Sequence, residues 1–177
     1  MAFLDLVRQR CSVRRYAAAP VSREVLDRCL EAARLAPSAC NSQPWSFIVV
    51  EEAEARQRLA AAAFTGIYAM NAFAATAPVL IVAVTERSRF AAALGGRFRG
   101  VQYNLIDLGI ACEHLVLQAT EEGLGTCWLG WFNENAVKQI LGLPSNTKVD
   151  IMISLGHPAD VARPVKRKPL SEIRRFI

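Results

Sequence analysis

The stretch from Val101 to Glu122 constrains this chain more than any other. Leu105, Ile106, Leu108, Ile110, Ala111, Leu115, Val116 and Ala119 recur at helical spacing and leave little polar face. A surface helix shows one apolar stripe, whereas a helix that is apolar around most of its girth must be buried on most sides. In a chain of 177 residues, a helix so completely covered calls for a second subunit to finish the covering.

The other segments fit around that helix. Phe3, Leu4, Leu6 and Val7 begin a short helix ending near Arg10, and Cys11 to Tyr16 follow as a connector. Ser22 is a good N-cap for a helix carrying Val25, Leu26, Cys29, Leu30 and Ala33, which Pro37 stops. Phe47 to Val50 and Val79 to Val84 are short apolar runs rich in β-branched residues and read as buried strands, the second of them central. Glu51 to Phe64 reads as a helix, and the small residues of Thr65 to Thr76 have no clear period. Gly123 and Gly125 end the long helix. Thr126 to Trp131 is a strand opening into a loop, Asn133 caps a helix to Leu141, and Lys148 to Gly156 is a further strand. There is no internal repeat and no linker, so residues 1–177 are expected to form one domain.

Composition excludes some classes. Hydrophobic residues are 53% of the chain, which argues against disorder. The net charge of +5 suits an anionic cofactor as well as it suits nucleic acid, and the basic tail lacks the interleaved aromatics that stack bases. Nucleic acid is therefore not expected as a partner. Five scattered cysteines without C-x-x-C spacing give no metal site and point to a reducing compartment, hence the cytoplasm. No uninterrupted run reaches the length of a membrane span.

Three stretches could carry chemistry. Arg10, Ser12 and Arg14 alternate on an extended connector, and guanidinium forks with a hydroxyl suit a phosphate. Lys166-Arg167-Lys168 is a second cationic group that could converge on the same phosphate, although each cluster taken alone reads as well as a solvated basic turn. Ala36 to Trp45 joins a helix to a strand. Asn41 and Gln43 can each donate and accept, as a flat heterocycle with mixed polar edges requires, and Trp45 anchors the stretch to a core. Gly130, at a strand end, could present its N–H to an acceptor. His114 reads as a structural histidine on the buried helix, and neither a nucleophile elbow nor a G-x-G-x-x-G follows any strand.

Pro37 to Trp45 resembles the P-S-x-x-N-x-Q-P-W signature of the nitroreductase family. Arg10-x-Ser12-x-Arg14-x-Tyr16 is similar to that family's N-terminal R-x-S-x-R-x-F/Y segment, and Gly123 to Gly130 to its G-L-G-T-x-W-x-G region. Leu141 to Pro144, Leu155 to Pro158 and Arg167 to Leu170 follow in the family's order, so the resemblance spans nearly the whole chain. It implies an α+β fold with a central mixed, mainly antiparallel sheet flanked by helices, in a homodimer holding FMN at its interface. It also implies that Arg10, Ser12, Arg14 and Arg167 hold the phosphate and ribityl chain. Pro37, Ser38, Ala39 and Asn41 would contact the flavin from the partner subunit, supported by Gln43, and Leu129 and Gly130 would lie against the ring. Ala39 stands where many relatives have a second serine, and Asn71 is a candidate for the family's flavin-contacting asparagine.

The activity so implied is hydride passage from NADH or NADPH through FMN to a nitroaromatic, a quinone or a related small-molecule acceptor, by a ping-pong mechanism. The flavin carries the hydride and no side chain need be catalytic. An FMN storage or sensing module without turnover would leave nearly the same sequence.

Overall fold

A computed structural model of the chain describes residues 2–86, 100–160 and 165–177. By sequence, Glu86 to Gly100 is a polar, glycine-containing connection expected to form a surface loop, and apart from its two ends it lies outside the described residues.

The elements in chain order are α1 (Phe3–Gln9), α2 (Arg23–Arg34), a short 3-10 turn (Ala39–Asn41), β1 (Trp45–Val50) and α3 (Ala53–Ala63). A 3-10 segment (Gly66–Thr76), β2 (Val79–Thr85), α4 (Tyr103–Glu121) and β3 (Gly125–Leu129) follow. The chain closes with α5 (Glu134–Ile140), β4 (Lys148–Gly156) and a single turn, α6 (Leu170–Ile173).

The four strands form one sheet in the order β1-β2-β4-β3, antiparallel at every step. The parallel component of the expected mixed sheet is one isolated bridge, Ser12 to Thr126, at the β3 edge. β2 is buried along its whole length. Its alternation divides the core: Val79, Ile81 and Ala83 join the cluster under α2 and α4, and Leu80, Val82 and Val84 join the cluster under α3 and α5.

The helix ends follow local chemistry. The Ser22 hydroxyl accepts from the Val25 N–H, and the Asn133 side chain accepts from Ala136 N–H at 3.1 Å. Glu52 was expected inside α3, but it caps that helix instead, accepting from the Glu54 and Ala55 N–H groups at 2.9 and 2.6 Å. At the end of α4, Gly123 takes φ +76°, and the Leu124 N–H returns to the Ala119 carbonyl at 2.8 Å. Gly125 lies beyond this cap, as the first residue of β3.

α4 buries Leu108, Ala111, Cys112, Leu115, Val116 and Ala119, as its pattern requires. The single chain leaves its first turns uncovered: Leu105 and Ile106 are exposed, Ile106 by 51%. α1 buries none of its residues, and Leu170, Ile173, Phe176 and Ile177 of the tail are exposed. Among the described residues, no helix is long and apolar enough to cross a membrane.

Candidate functional site

The connector after α1 is fixed to the β3 edge by backbone, packing and a buried phenol. Val13 N–H donates to the Thr126 carbonyl at 2.8 Å, beside the Ser12–Thr126 bridge. A Cβ on Gly125 would lie 2.5 Å from Val13 Cγ2, so glycine is what lets the connector approach. Tyr16 donates to the Val13 carbonyl at 2.8 Å and stands 2.8 Å from Ser154 Oγ. Burial pushes its phenol far above the ordinary tyrosine value, so this anchor stays protonated.

Fixing the connector directs its cations. Arg10 lines a cavity of about 730 Å³ together with Arg8, Cys11, Val13, Gly125 and Arg167. The two basic stretches of the sequence therefore meet in space. The Arg10 side chain is only 16% exposed, and its nearest ionic neighbour is Glu113, 3.9 Å from Nε and beyond hydrogen-bond range. Among the described residues its guanidinium makes no hydrogen bond. A covered guanidinium with five unused donors is built to receive an anion. Burial pushes the Glu113 carboxyl above its ordinary value, and Arg10 opposes that shift.

Ser12 and Arg14 are exposed and do not line this cavity. The Arg14 guanidinium lies 5.9 Å from the centre of the Phe73 ring, and the Ser12 hydroxyl is beside the Cys127 thiol. Arg10, Ser12 and Arg14 all lie near enough to Cys127 to act on its thiol, and of the three Arg10 lines the cavity.

The second region is the Pro37–Gln43 loop. Cys40, Asn41 and Gln43 have φ values of +53°, +51° and +45°, left-handed conformations that cost a non-glycine residue about 1–2 kcal/mol each. Polar bonds hold them. Gln43 N–H donates to Ser38 Oγ at 2.9 Å, and Gln43 Nε2 donates to the Asn41 carbonyl and Oδ1 at 3.2 and 3.1 Å. Gln43 therefore braces the loop. Pro37 and Asn41 are exposed, while Ser38 and Ala39 are partly covered. Trp45 opens β1 and packs against the α2/α4 cluster as an anchor.

At the end of β3 the side chain of Leu129 is buried in the α3/α5 cluster, so only its backbone can face a ligand. Gly130 is exposed, and a Cβ there would meet nothing within 4 Å. The close approaches expected of this glycine-rich stretch occur within the fold, at Gly125 against Val13. Asn71 donates to the Trp131 carbonyl at 2.9 Å, Trp131 Nε1 donates to the Ile67 carbonyl at 2.9 Å, and the Tyr68 and Trp131 rings are 5.3 Å apart. These contacts clamp the Gly66–Thr76 segment to the loop after β3 and occupy the Asn71 amide.

The remaining candidates are structural. His114 Nδ1 lies 3.3 Å from the Ala32 carbonyl. Burial pushes the thiols of Cys29 and Cys112 up to about 12, which keeps them protonated and inert. Among the described residues, no cluster of three or more His, Cys, Asp or Glu side chains could hold a metal ion. One residue at the site escaped the sequence reading. Asp107 of α4, 4% exposed, accepts the Ala39 N–H at 3.0 Å. Its signal was an acid beside Leu108 and Ala111 on an otherwise apolar stripe.

The nitroreductase family profile matches residues 7–157. The chain belongs to the nitroreductase family. Over 191 aligned positions it is 31% identical to the NADH dehydrogenase of Thermus thermophilus, covering 93% of this chain and 91% of that one. It is also similar to the crystal structure of a nitroreductase family protein from Clostridium novyi, with a TM-score of 0.77 and 36% identity over 90% of this chain and 87% of that one. An FMN-dependent nitroreductase from Clostridium difficile gives a TM-score of 0.77 at 27% identity, covering 99% of this chain and 98% of that one.

Proposed function

We propose that the chain is an FMN-dependent oxidoreductase that passes a hydride from NADH or NADPH to a nitroaromatic, a quinone or a related acceptor, and that it works as a cytoplasmic homodimer. The observation that carries this reading is the covered Arg10 guanidinium, without a hydrogen bond among the described residues, sharing a cavity with Arg167. A phosphate monoester is the anion those forks fit best. The second region fits the rest of the cofactor. Its polar loop is braced by its own bonds, and Asn41, exposed at the tip, keeps its amide Nδ2 to offer to a ring. Gly130, exposed and without a side chain, leaves its backbone free to face such a ring from the other side.

When bound, FMN supplies the hydride transfer, and the protein's part is to hold and orient it. Arg10 and Arg167 would neutralise its phosphate, Ser12 and Arg14 would hold its ribityl chain, and Pro37 to Gln43 of a second copy would contact its ring. Donor and acceptor would use the bound flavin in turn, and ping-pong kinetics are expected. The homodimer is supported by the apolar side chains that one copy leaves exposed on α1, on the first turns of α4 and in the tail.

The test is a visible absorption spectrum of the purified protein, before and after anaerobic NADH or NADPH. A flavin spectrum that bleaches, and recovers on addition of a quinone or nitroaromatic, is expected. A flavin that stays oxidised would turn the reading towards an FMN storage or sensing module. A colourless protein that cannot be reconstituted with FMN would overturn it.

A further inference from the structure

We infer that Asp107 is the positioning residue of the Ser38–Gln43 loop: from inside the core, its carboxylate sets the backbone that borders the cofactor. This rests on the reading of that loop as flavin-facing.

Most bonds at the loop tip are internal. Asn41 N–H returns to the Ser38 carbonyl and Ser42 N–H to the Ala39 carbonyl, each at 3.0 Å, and Gln43 bonds to Ser38 and Asn41. A tip bonded only to itself could move as a unit. Among the described residues, the one hydrogen bond that leaves it is Ala39 N–H to Asp107 Oδ1, at 3.0 Å. That bond reaches the second turn of α4, whose next residues pack into the α2/α4 cluster. The acceptor is a carboxylate, so the bond is charge-assisted and stronger than an amide or hydroxyl would give. Left-handed residues persist in a loop only where the surroundings over-determine them, and this bond supplies the external constraint.

The carboxylate is also poorly matched to its place. Asp107 Oδ2 is buried and has no hydrogen-bond partner among the described residues. A buried carboxylate satisfied at one oxygen costs stability that a well-packed apolar side chain would not. A group that burdens the fold while fixing a site loop is accounted for by the site.

The test compares Asp107→Ala, Asp107→Asn and Ala39→Pro, with the Asp107→Ala/Ala39→Pro double variant. Ala39→Pro removes the donor and leaves Asp107 in place. Ser38 is already extended, at φ −144° and ψ 156°, as a residue before proline must be. Hydrogen exchange of the Ala39 to Gln43 amides is followed without cofactor, and FMN binding by quenching of flavin fluorescence. Asp107→Ala and Ala39→Pro are each expected to speed loop exchange and to weaken FMN binding tenfold or more. Asp107→Asn, which keeps an acceptor, should stay within fivefold of wild type. The double variant should bind no worse than the weaker single, because both changes delete one bond.

Single variants within threefold of wild type, an Asn variant as weak as the Ala variant, or losses that multiply would each overturn the inference. If Asp107→Ala does not fold, Ala39→Pro decides by itself. A wild type that binds no FMN sinks the functional reading, and the exchange measurements still decide whether Asp107 sets the loop.

Discussion

The connector from Cys11 to Tyr16 and the loop from Ser38 to Gln43 are placed by different physics. The connector is placed by packing together with bonds to the sheet: Val13 lies against bare Gly125 and donates to the Thr126 carbonyl, and Tyr16 bonds to a fully buried Ser154. The loop is placed by polar bonds, three left-handed residues and one tie to α4. Packing resists small displacement because close-packed neighbours leave no room for it. A bonded loop can exchange partners at low cost. A site built from both has one rigid wall, which suits the fixed charge of a phosphate, and one adaptable wall, which suits a ring against which two different substrates must fit.

The contrast can be broken in several ways. The largest effect is expected from Arg10→Ala on the rigid wall. Losing a charge-assisted contact should weaken FMN binding by about 1.5–3 kcal/mol, measured by titration of the apoprotein. Arg14→Ala, whose side chain rests on Phe73 outside the cavity, should lose clearly less; equal losses would place the phosphate between the two arginines.

Gly125→Ala tests the packing itself. The new methyl would meet Val13 and lift the connector, for a loss of about 1–3 kcal/mol in urea unfolding. Tyr16→Phe removes the bonds to the Val13 carbonyl and to Ser154, and should cost about 1–2 kcal/mol by the same assay. Cys40→Gly goes the other way. Deleting a side chain at φ +53° relieves left-handed strain, partly offset by a more disordered unfolded chain, for a gain of about 0.5–1 kcal/mol. A Cβ added to one wall and a Cβ removed from the other should thus change stability with opposite sign. A Cys40→Gly variant that melts lower than wild type would mean that the loop, too, is held by side-chain packing.

Much of the fold was readable in sequence because the deciding signals were local. Ser22 and Asn133 cap helices by reaching three residues ahead, and the unbroken apolar run of β2 marks a strand covered on both faces. Other features depended on partners far away in the chain. Nothing near Glu52 distinguishes a cap from an exposed helical acid. The Gly66–Thr76 segment has no periodicity, since its shape is held by Trp131. In the site, residue types were legible and directions were not. Arg10 and Arg167 were visible as cations, but only the tertiary path brings them into one cavity. Asp107 was lost in the average hydrophobicity of its helix, where a single acid counts for little until its depth is known.

The docking of the connector also orders events in time. Tyr16 bonds to Ser154, 138 positions later in the chain, and Ser12 pairs with Thr126 on an edge strand that precedes β4. Contacts between such distant segments form late, because the intervening chain must be closed first. During synthesis the N-terminal segment leaves the ribosome long before either partner exists. It must wait, with its arginines solvated, until almost the entire chain has emerged. The proposed anion-binding wall would then be among the last parts of the molecule to assemble, so a nascent chain should gain its capacity for cofactor only after the sheet is complete.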